Sequence, residues 1–432
     1  MSKLPDQLPI APFTRPVRGR VTLPGSKSIT NRALILAALS DHSVMLRGAL
    51  FSRDTQIMVA ALRQLGFAVE ADEAALTITI TVRGGEIPVR EAKIDVGNAG
   101  TAARFLTAFV CLRPDGVYHF DGDEAMRRRP IGALLEALEA QGARASARNF
   151  PFTLRTTGLR GGTVELNASE SSQMLSALLM VAPHAKSLLT VKLTEAVGSK
   201  PFVGMTEQMV RQFAARPTTY EIEGDASAAS YFLALPFALK RLGSRLRING
   251  YPTANPAIAL QGDVRFANVM EEVGCAIIPD AGGVDVSYAV AQRVNAAQRS
   301  YNFRTFSDTF LTLAAIAPLL DGPTKITGIA HTRKQETDRV AGMARELTKL
   351  GQHVIETEDS LEIHPRPLTP GVLIETYHDH RFAMSFGILG CHDLLGNGQP
   401  WLTINDPACC SKTFPGFFDV LGTLRAASLQ ER

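Results

Sequence analysis

The chain has 432 residues, 45% apolar and 20% charged, which is enough for about two to three domains with cores of their own. Its 45 lysines and arginines nearly balance 42 aspartates and glutamates, and the net charge of +3 argues against a nucleic-acid partner. The five cysteines form no C-x-x-C pair, which excludes a disulfide framework or zinc ribbon. The most apolar run, 311–320, is too short to span a membrane, and residues 1–16 lack a secretory h-region. We therefore predict a cytoplasmic protein.

One sequence pattern recurs along the chain: an amphipathic helix, a glycine and a short β-rich run. Its glycines form two pairs, Gly66 with Gly142 and Gly274 with Gly351. Because glycine just past the last helical residue is the usual helix stop, the pattern predicts helix–strand units of an α/β or α+β fold. A degenerate copy of the pattern, without the glycine, occurs at 209–215 between the two pairs. The spacing favours six units of about 60–80 residues, arranged as two domains of three.

Basic residues stand at the predicted starts of several helices, where the positive end of the helix disfavours them. These helices begin near Lys27 and Arg32, near Arg129-Pro130, near Lys200-Pro201, near Arg339 and near Arg381. Their neighbours are glycine, serine and asparagine, so backbone N–H groups and cations together suit anions. Pro130 fits the first position of its helix.

Two further motifs fit the same interpretation. In 98–104, Gly100 would let a ligand approach the backbone, while Asn98 and Thr101 can cap the helix or donate hydrogen bonds. The Ser171-Ser172-Gln173 run offers neutral donors to an oxygen-rich ligand. Singly, each motif is equally well an ordinary helix cap, and Arg127 and Arg128 are better explained as a solvated charge run. The number of such motifs on a nearly neutral chain favours anion binding.

Other common sites are excluded by their spacing. Ser26 separates Gly25 from Lys27, so the segment is not a Walker A loop, and neither G-x-G-x-x-G after a strand nor G-x-S-x-G occurs. His378-Asp379-His380 has no clear third ligand motif for a metal. Cys409-Cys410 is better explained by packing than by nucleophilic chemistry. We predict no metal and no organic cofactor.

Together, the motifs resemble the 5-enolpyruvylshikimate-3-phosphate synthase family in family order over nearly the whole chain. The matching segments are 23–32, 97–104, 129–132, 171–173, 199–201, 223–227, 336–339, 379–381 and 411–415. The resemblance implies a mixed α/β (α+β), two-domain enolpyruvyl transferase-like fold, with three βαβαββ-type units around buried helices in each domain. It places one domain at 26–224 and the other at 1–25 with 225–432, with the active site in the cleft between them.

The resemblance also implies a reaction. The enolpyruvyl group of phosphoenolpyruvate would pass to the 5-hydroxyl of 3-phosphoshikimate by addition–elimination, with release of phosphate, in the shikimate pathway to aromatic amino acids. Asp308 would accept the hydroxyl proton and Glu336 would protonate the methylene carbon. The implied 3-phosphoshikimate-binding residues are Lys27, Ser28, Arg32, Ser171, Ser172, Gln173, Ser199, Asp308, His331 and Gln335. The implied phosphoenolpyruvate-binding residues are Lys27, Asn98, Gly100, Arg129, Gln173, Arg339, Arg381 and Lys412. We expect a monomer whose partners are these small molecules.

The chain departs from the family pattern at a few positions. Gln335 stands where the family usually has lysine, with Lys334 one place earlier, and His331 replaces an asparagine. Phe202 replaces a tyrosine, and Phe105 follows Arg104 where proline is common. Phe105 and Gln335 therefore predict reduced sensitivity to glyphosate, which competes with phosphoenolpyruvate in this family.

Two alternative functions stay open. One is the sister enzyme that acts on UDP-N-acetylglucosamine, although the apolar surroundings of Cys111 argue against the catalytic cysteine which that enzyme usually has. The other is a non-catalytic anion-binding relative, against which the presence of Asp308 and Glu336 argues.

Overall fold

The computed structural model describes residues 4–81, 86–169, 171–195, 200–252, 259–288 and 298–430. Its contacts divide the chain into two compact units. We call residues 25–223 the inserted unit, and residues 1–24 with 224–432 the outer unit. The chain passes from one unit to the other at Pro24–Gly25 and at Glu223–Gly224, one residue before each boundary that the sequence predicts.

The strands are short and fall into six sheets among the described residues, three in each unit. In chain order they are β1 (Gln7–Pro9), β2 (Arg18–Thr22), β3 (Val44–Arg47), β4 (Ala68–Asp72), β5 (Thr77–Thr81), β6 (Glu91–Asp95), β7 (Val117–Asp121), β8 (Arg144–Ala145), β9 (Phe152–Arg155), β10 (Gly162–Leu166), β11 (Leu189–Leu193), β12 (Thr219–Glu221), β13 (Arg245–Asn249), β14 (Cys275–Asp280), β15 (Gly283–Tyr288), β16 (Arg299–Asn302), β17 (Thr324–Thr327), β18 (His353–Thr357), β19 (Ser360–His364), β20 (Val372–Ile374) and β21 (Leu402–Asn405).

The helices alternate with these strands, as the sequence pattern predicts. They are α1 (Lys27–Leu39), α2 (Arg53–Gln64), α3 (Gly100–Val110), α4 (Glu124–Arg127), α5 (Gly132–Ala140), α6 (Ser172–Val181), α7 (Lys200–Ala214), α8 (Ala226–Ala238), α9 (Phe266–Glu272), α10 (Phe310–Ile316), α11 (Arg339–Lys349), α12 (His380–Gly390) and α13 (Phe417–Gln430). Among the described residues, none of the helices is both long enough and apolar enough to cross a membrane.

One sheet topology recurs in both units. The inserted unit has sheets of order β12-β3-β5-β4 and β6-β7-β9-β8, and the outer unit has β2-β13-β15-β14 and β16-β17-β19-β18. In each of these sheets the first two strands are parallel and the others are antiparallel. The third sheet of each unit is smaller and also contains a parallel pair, β10 with β11 or β20 with β21. This confirms the predicted mixed α/β fold.

The predicted helix-stop glycines all take the left-handed backbone conformation. Gly66, Gly142, Gly274 and Gly351 have φ values of +92°, +108°, +105° and +86°, and they follow α2, α5, α9 and α11. A strand begins one or two residues after each glycine, as predicted. After α7 the same role falls to Arg216, with φ of +59°, which explains why that unit carries no glycine mark.

Three helices in each unit are buried on nearly all sides, and they form the two cores. They are α1, α3 and α6 in the inserted unit, and α8, α10 and α12 in the outer unit. Most of the predicted anion motifs lie at the N-terminal ends of these six helices. One prediction is wrong: α5 begins at Gly132, so Pro130 precedes the helix, and its carbonyl accepts a hydrogen bond from Arg104.

Gly25 and Gly224 are the first residues after the two points where the chain passes from one unit to the other, and neither position has room for a side chain. A Cβ on Gly25 would overlap the carbonyl oxygen of Gly48, which follows β3. A Cβ on Gly224 would overlap the carbonyl oxygen of Gly250, which follows β13. Gly48 and Gly250 have φ values of +68° and +75°. In each unit a buried helix therefore starts from the same close contact between two backbones.

We expect Gly224→Ala to destabilise the protein by at least about 2 kcal/mol, because the obstacle to its Cβ is backbone rather than a movable side chain. The control is Gly422→Ala in the exposed face of α13, where a Cβ meets nothing within 4 Å. That change should stabilise the helix by up to about 1 kcal/mol. Urea unfolding followed by circular dichroism measures both, and equal stability of the two variants would contradict this account.

Candidate functional site

In the inserted unit, Lys27 is the first residue of α1, after an N-cap, Ser26, that forms no side-chain cap. Its ammonium group lies 3.3 Å from the carboxylate of Asp54, which is buried in the first turn of α2. The predicted ligand Ser28 follows and is half-buried. The free N–H groups of a helix start therefore lie beside a cation that Asp54 holds in place, an arrangement suited to an anion.

Arg32 lies one turn further along α1 and is buried. Its guanidinium group donates to Thr206 Oγ1 at 2.7 Å, to Ser176 Oγ at 3.1 Å and to the Ser28 carbonyl at 2.9 Å. It also lies over the ring of Phe105, 5.1 Å from the centroid. Every one of these groups is neutral, and burial lowers the pKa of Arg32 to about 9. A buried cation without a counter-charge is costly, and a bound anion would relieve that cost.

Arg129 packs against the start of α3. A Cβ on Gly100 would lie 2.7 Å from Nη2 of Arg129, so the absence of a side chain makes room for the guanidinium group. Arg129 Nη1 is 3.4 Å from Oδ1 of Asn98, and its Nε is buried without a hydrogen-bond partner. Arg104 donates to the carbonyls of Gly100 and Pro130, and so links α3 to the segment that carries Arg129.

The Ser171–Gln173 run begins α6. Ser171 is the N-cap, and its hydroxyl accepts a hydrogen bond from the backbone N–H of Gln173 at 3.3 Å. Ser172 is the first helical residue, and Oε1 of Gln173 is buried without a hydrogen-bond partner. Ser199 lies outside the described residues. The Gln173 oxygen can accept, and Arg129 Nε can donate, a hydrogen bond to a polar ligand group.

In the outer unit, Arg339 is the centre of a buried charge cluster at the start of α11. Its Nε is 2.7 Å from Asp379, its Nη1 is 3.0 Å from Asp308, and its Nη2 is 3.0 Å from Glu336. Nη1 also donates to Oε1 of Gln335. Burial alone would lower the pKa of Arg339, but the carboxylates outweigh that effect and raise it well above its usual range.

Two further cations extend this cluster. Arg381, near the start of α12, lies 2.7 Å from the second oxygen of Asp308 and 3.3 Å from the hydroxyl of Tyr231. Lys412 lies 3.0 Å from the second oxygen of Glu336. Asp308 and Glu336 are thus each shared by two cations, and their side chains keep 16% and 12% exposure. The arrangement combines cations for an anion with two reachable carboxylates for proton transfer.

Two of the departures from the family pattern, Gln335 and His331, lie beside this cluster. Gln335 reaches Arg339, whereas Lys334 is exposed, so position 335 is the one that joins the cluster. His331 Nε2 is 2.8 Å from the hydroxyl of Ser307, next to Asp308. Burial lowers the pKa of His331, which favours the neutral ring at neutral pH.

A buried carboxylate that the sequence did not indicate lies behind Asp308. Asp263 accepts a hydrogen bond from the Ser227 hydroxyl, and the turn that carries Asp263 packs against both α8 and the turn of Asp308. Gln261 supports this arrangement because its Oε1 accepts from the Ala226 N–H at 3.0 Å. Burial, with the nearby charge of Asp308, raises the pKa of Asp263 to about 7.

The remaining motifs behave as ordinary structure. Arg127 pairs with Asp121 and Arg128 pairs with Glu124, all on the exposed surface, as the solvated-run interpretation predicts. Cys410 is buried, and burial raises the pKa of its thiol. Within the ranges that the structure describes, no three His, Cys, Asp or Glu side chains cluster as metal ligands.

Sequence reasoning missed several partners of the predicted cations. They are Asp54, Ser176, Thr206, Tyr231 and Asp263. Asp379 lies within the matching segment 379–381, but the sequence predicted no role for it. All are buried, and a polar residue inside an otherwise apolar helix was the one available signal, as for Ser176 within the apolar run of α6.

Comparisons with known proteins agree with these observations. The family model for EPSP synthase (3-phosphoshikimate 1-carboxyvinyltransferase) matches residues 13–217 and 214–421. A 3-phosphoshikimate 1-carboxyvinyltransferase of Opitutus terrae is 54% identical, over 99% of this chain and 100% of its own. Another from a Nostoc species is 37% identical, over 96% and 98%. The solved structure of EPSP synthase from Acinetobacter baumannii matches with a TM-score of 0.76 at 22% identity, over 97% and 98% of the chains. The enolpyruvyl transferase NikO from Streptomyces tendae matches with a TM-score of 0.71 at 17% identity, over 97% of each.

Asp263 gives a pH-dependent prediction for stability. Its pKa is about 7 when folded and about 4 when unfolded, so only the folded chain is protonated between these values. The proton's stabilising contribution is complete below about pH 4 and is lost as the pH rises through 7. Asparagine does not titrate, so its contribution to stability is the same at pH 5 and at pH 8. Relative to wild type, Asp263→Asn should therefore gain about 1–3 kcal/mol between pH 5 and pH 8 in urea unfolding.

The control for this experiment is Ser227→Ala. It removes the hydrogen bond that lowers the pKa of Asp263, so its stability should depend on pH at least as strongly as that of wild type. If Asp263→Asn and wild type differ by the same amount at both pH values, the assignment of the raised pKa is wrong.

Proposed function

The chain belongs to the EPSP synthase family, and we propose that the anion-binding residues of both units carry out its 3-phosphoshikimate 1-carboxyvinyltransferase reaction. The protein is an enzyme that transfers the enolpyruvyl group of phosphoenolpyruvate to the 5-hydroxyl of 3-phosphoshikimate and releases phosphate, in the shikimate pathway to aromatic amino acids. Each substrate carries a phosphate and a carboxylate. This explains why a chain of almost no net charge concentrates cations at a few helix starts.

The observation that carries the residue assignment is the buried, uncompensated guanidinium of Arg32. Its partners are hydroxyls and a carbonyl, and the helices that supply them begin with Lys27, with Ser172 and with Lys200. We assign 3-phosphoshikimate to this region, where its anionic groups would supply the missing negative charge. The proposed residues here are Lys27, Ser28, Arg32, Ser171, Ser172, Gln173 and Ser199, with Asp308, His331 and Gln335 from the outer unit.

Phosphoenolpyruvate would bind to the cations of the outer cluster. Arg339, Arg381 and Lys412 each pair with carboxylates of the protein itself. An incoming phosphate or carboxylate would take over some of these donors, because charge-assisted bonds to guanidinium groups are interchangeable between oxyanions. That exchange would release Asp308 and Glu336 for proton transfer. Lys27, Asn98, Gly100, Arg129 and Gln173 complete the proposed phosphoenolpyruvate site.

The proposed chemistry uses both carboxylates. Asp308 accepts the proton of the 5-hydroxyl while Glu336, in its protonated form, protonates the methylene carbon, and the hydroxyl oxygen bonds to the central carbon of phosphoenolpyruvate as its double bond opens. Glu336, now a carboxylate, then takes a proton back from the new methyl group, and phosphate leaves with the proton held by Asp308, which restores the double bond and both side chains. The fixed cations of the cluster offset the negative charge on the reacting groups.

The two alternatives lack comparable support. Cys111 ends α3 as a buried residue, and burial raises the pKa of its thiol, which disfavours a catalytic cysteine of the UDP-N-acetylglucosamine enzyme. A non-catalytic relative would have no need for two partly exposed carboxylates that are bridged by three cations. We further propose that the enzyme acts in the cytoplasm as a monomer.

The reaction is tested by phosphate release from phosphoenolpyruvate, with 3-phosphoshikimate or UDP-N-acetylglucosamine as the acceptor. We expect release with 3-phosphoshikimate only. Asp308→Asn and Glu336→Gln should each lower kcat by about 100-fold or more, since each removes a proton-transfer group. Glu358→Gln, an exposed carboxylate paired with Arg333, is the control and should leave kcat unchanged. Release with the nucleotide sugar, or full activity of Glu336→Gln, would refute the proposal.

Gln335 gives a second test. We propose reduced glyphosate sensitivity because glutamine puts no charge beside Arg339 where the family lysine would add one, and glyphosate is an anion. Gln335→Lys should lower the Ki for glyphosate by about tenfold, equivalent to roughly 1.4 kcal/mol. Lys325→Gln removes an exposed charge that pairs with Glu362, and as the control it should leave the Ki unaltered. An unchanged Ki in Gln335→Lys, at a fixed phosphoenolpyruvate concentration, would disprove this role.

A further inference from the structure

One face of α11 carries three residues that contact the segment leading into α12. Arg339, at the first turn, pairs with Asp379. At the next turn, a Cβ on Gly342 would lie 2.6 Å from Cζ of Phe382, so its absence lets the aromatic ring approach the helix. Glu346 follows one turn later and is buried. Residues three to four positions apart share one helix face, so these contacts form a continuous row.

Glu346 is a buried carboxylate with several partners. Its Oε2 accepts from the backbone N–H of Glu375 at 3.0 Å, and its Oε1 accepts from the hydroxyl of Tyr377 at 2.6 Å. Lys349 pairs with the same carboxylate from the exposed side. The ring of Tyr377 packs edge-on against Phe382, with centroids 5.4 Å apart. Glu346 thus binds the backbone and the side chain of a single turn.

That turn has an unfavourable backbone. Tyr377 and His378 have φ values of +54° and +57°, and two successive non-glycine residues in this region persist only when their surroundings hold them. The next residue, Asp379, caps α12 by accepting from the N–H of Arg381 at 2.9 Å, while its other oxygen binds Arg339. The conformation of the turn therefore determines where two of the three cluster cations meet.

The same turn also contacts the segment that leads to the third cation. Oε2 of Glu375 accepts from Nδ2 of Asn405 at 2.9 Å, and Nδ1 of His378 is 2.7 Å from Asp406. Asp406 also has positive φ, +47°, and it precedes the helical turn Pro407–Lys412 that ends in Lys412. Residues 375–378 therefore contact the segment from which the turn of Lys412 begins.

We propose that Glu346 and Tyr377 are positioning residues for phosphoenolpyruvate: their hydrogen bond holds the strained turn 375–378 on α11 and thereby sets Arg381 and Lys412 relative to Arg339. This inference rests on the proposed function of the cluster. Glu346 lies seven residues beyond Arg339, roughly 10 Å along the helix, so it acts through the turn and touches no substrate-binding cation itself. Burial and Glu346 raise the pKa of Tyr377 to about 12, which keeps its hydroxyl a donor at every working pH.

The test is Tyr377→Phe, which removes the hydroxyl and keeps the ring packed on Phe382. We expect the KM for phosphoenolpyruvate to rise about five- to twentyfold, with kcat and the KM for 3-phosphoshikimate within about twofold of wild type. The control is Tyr301→Phe, since Tyr301 lies in the same unit, is more buried than Tyr377, and also bonds a glutamate, Glu272. Tyr301→Phe should lower the free energy of unfolding in urea by about as much as Tyr377→Phe does, but it should leave the KM for phosphoenolpyruvate unchanged.

A double-mutant cycle shows whether the effect passes through the hydrogen bond. Both oxygens of Glu346 accept hydrogen bonds, and an amide has only one acceptor oxygen, so Glu346→Gln should raise the KM for phosphoenolpyruvate at least as much as Tyr377→Phe does. The two effects should fail to multiply in the double variant, because both loosen the same turn. Fully multiplicative effects, or equal rises in both KM values, would overturn the proposal.

A measurement of phosphoenolpyruvate binding tests the positioning role independently of the proposed enzymatic reaction. Titration calorimetry with phosphoenolpyruvate alone, with no acceptor present for turnover, reports positioning directly. An inactive wild type would refute the proposed function alone. Unchanged phosphoenolpyruvate affinity in Tyr377→Phe, or equal weakening in Tyr301→Phe, would refute the positioning role.

Discussion

The need to place guanidinium groups inside a protein governs the arrangement of this molecule's site residues. Arg32 and Arg339 are both buried, yet their neighbours differ: Arg32 is surrounded by hydroxyls and carbonyls, and Arg339 by carboxylates. The electrostatic consequence is opposite for the two residues, since the pKa of Arg32 falls and that of Arg339 rises. One unit therefore contains a buried cation without a counter-charge, whereas the buried cation of the other unit is paired with carboxylates of the protein.

Much of the fold could be predicted because helix ends are determined locally. Gly66, Gly142, Gly274 and Gly351 mark the helix stops with the residue that the left-handed conformation favours, and all four were identified. Strand pairing depends on distant residues and was beyond reach. β2 precedes α1 in sequence but pairs with β13 in the outer unit, and β3 pairs with β12. Pro130 misled the prediction for α5 because proline fits a first helical turn and the loop before it equally well.

The cations of the site were easier to predict than the groups that hold them. A lysine or arginine at a helix start conflicts with the helix dipole, so it is conspicuous in a sequence. Asp54, by contrast, occupies a first helical turn where an acidic residue is favourable, and nothing in the sequence connects it with Lys27. Asp379 resembles an ordinary N-cap and is one, although its second oxygen also binds Arg339. Each of these aspartates has a favourable role in its own helix, so the sequence gives no reason to expect its contact with a distant cation.

Gln335 shows how the outer cluster accommodates a residue unusual for the family. Arg339 directs Nη1 to Oε1 of Gln335 as well as to Asp308. Glutamine can accept that hydrogen bond, whereas a lysine ammonium group only donates. A lysine at this position would have to turn toward Asp308 or Glu336, which are already shared by two cations each. Glutamine therefore keeps the charges in the cluster balanced: the three cations are Arg339, Arg381 and Lys412, and the three carboxylates are Asp308, Glu336 and Asp379.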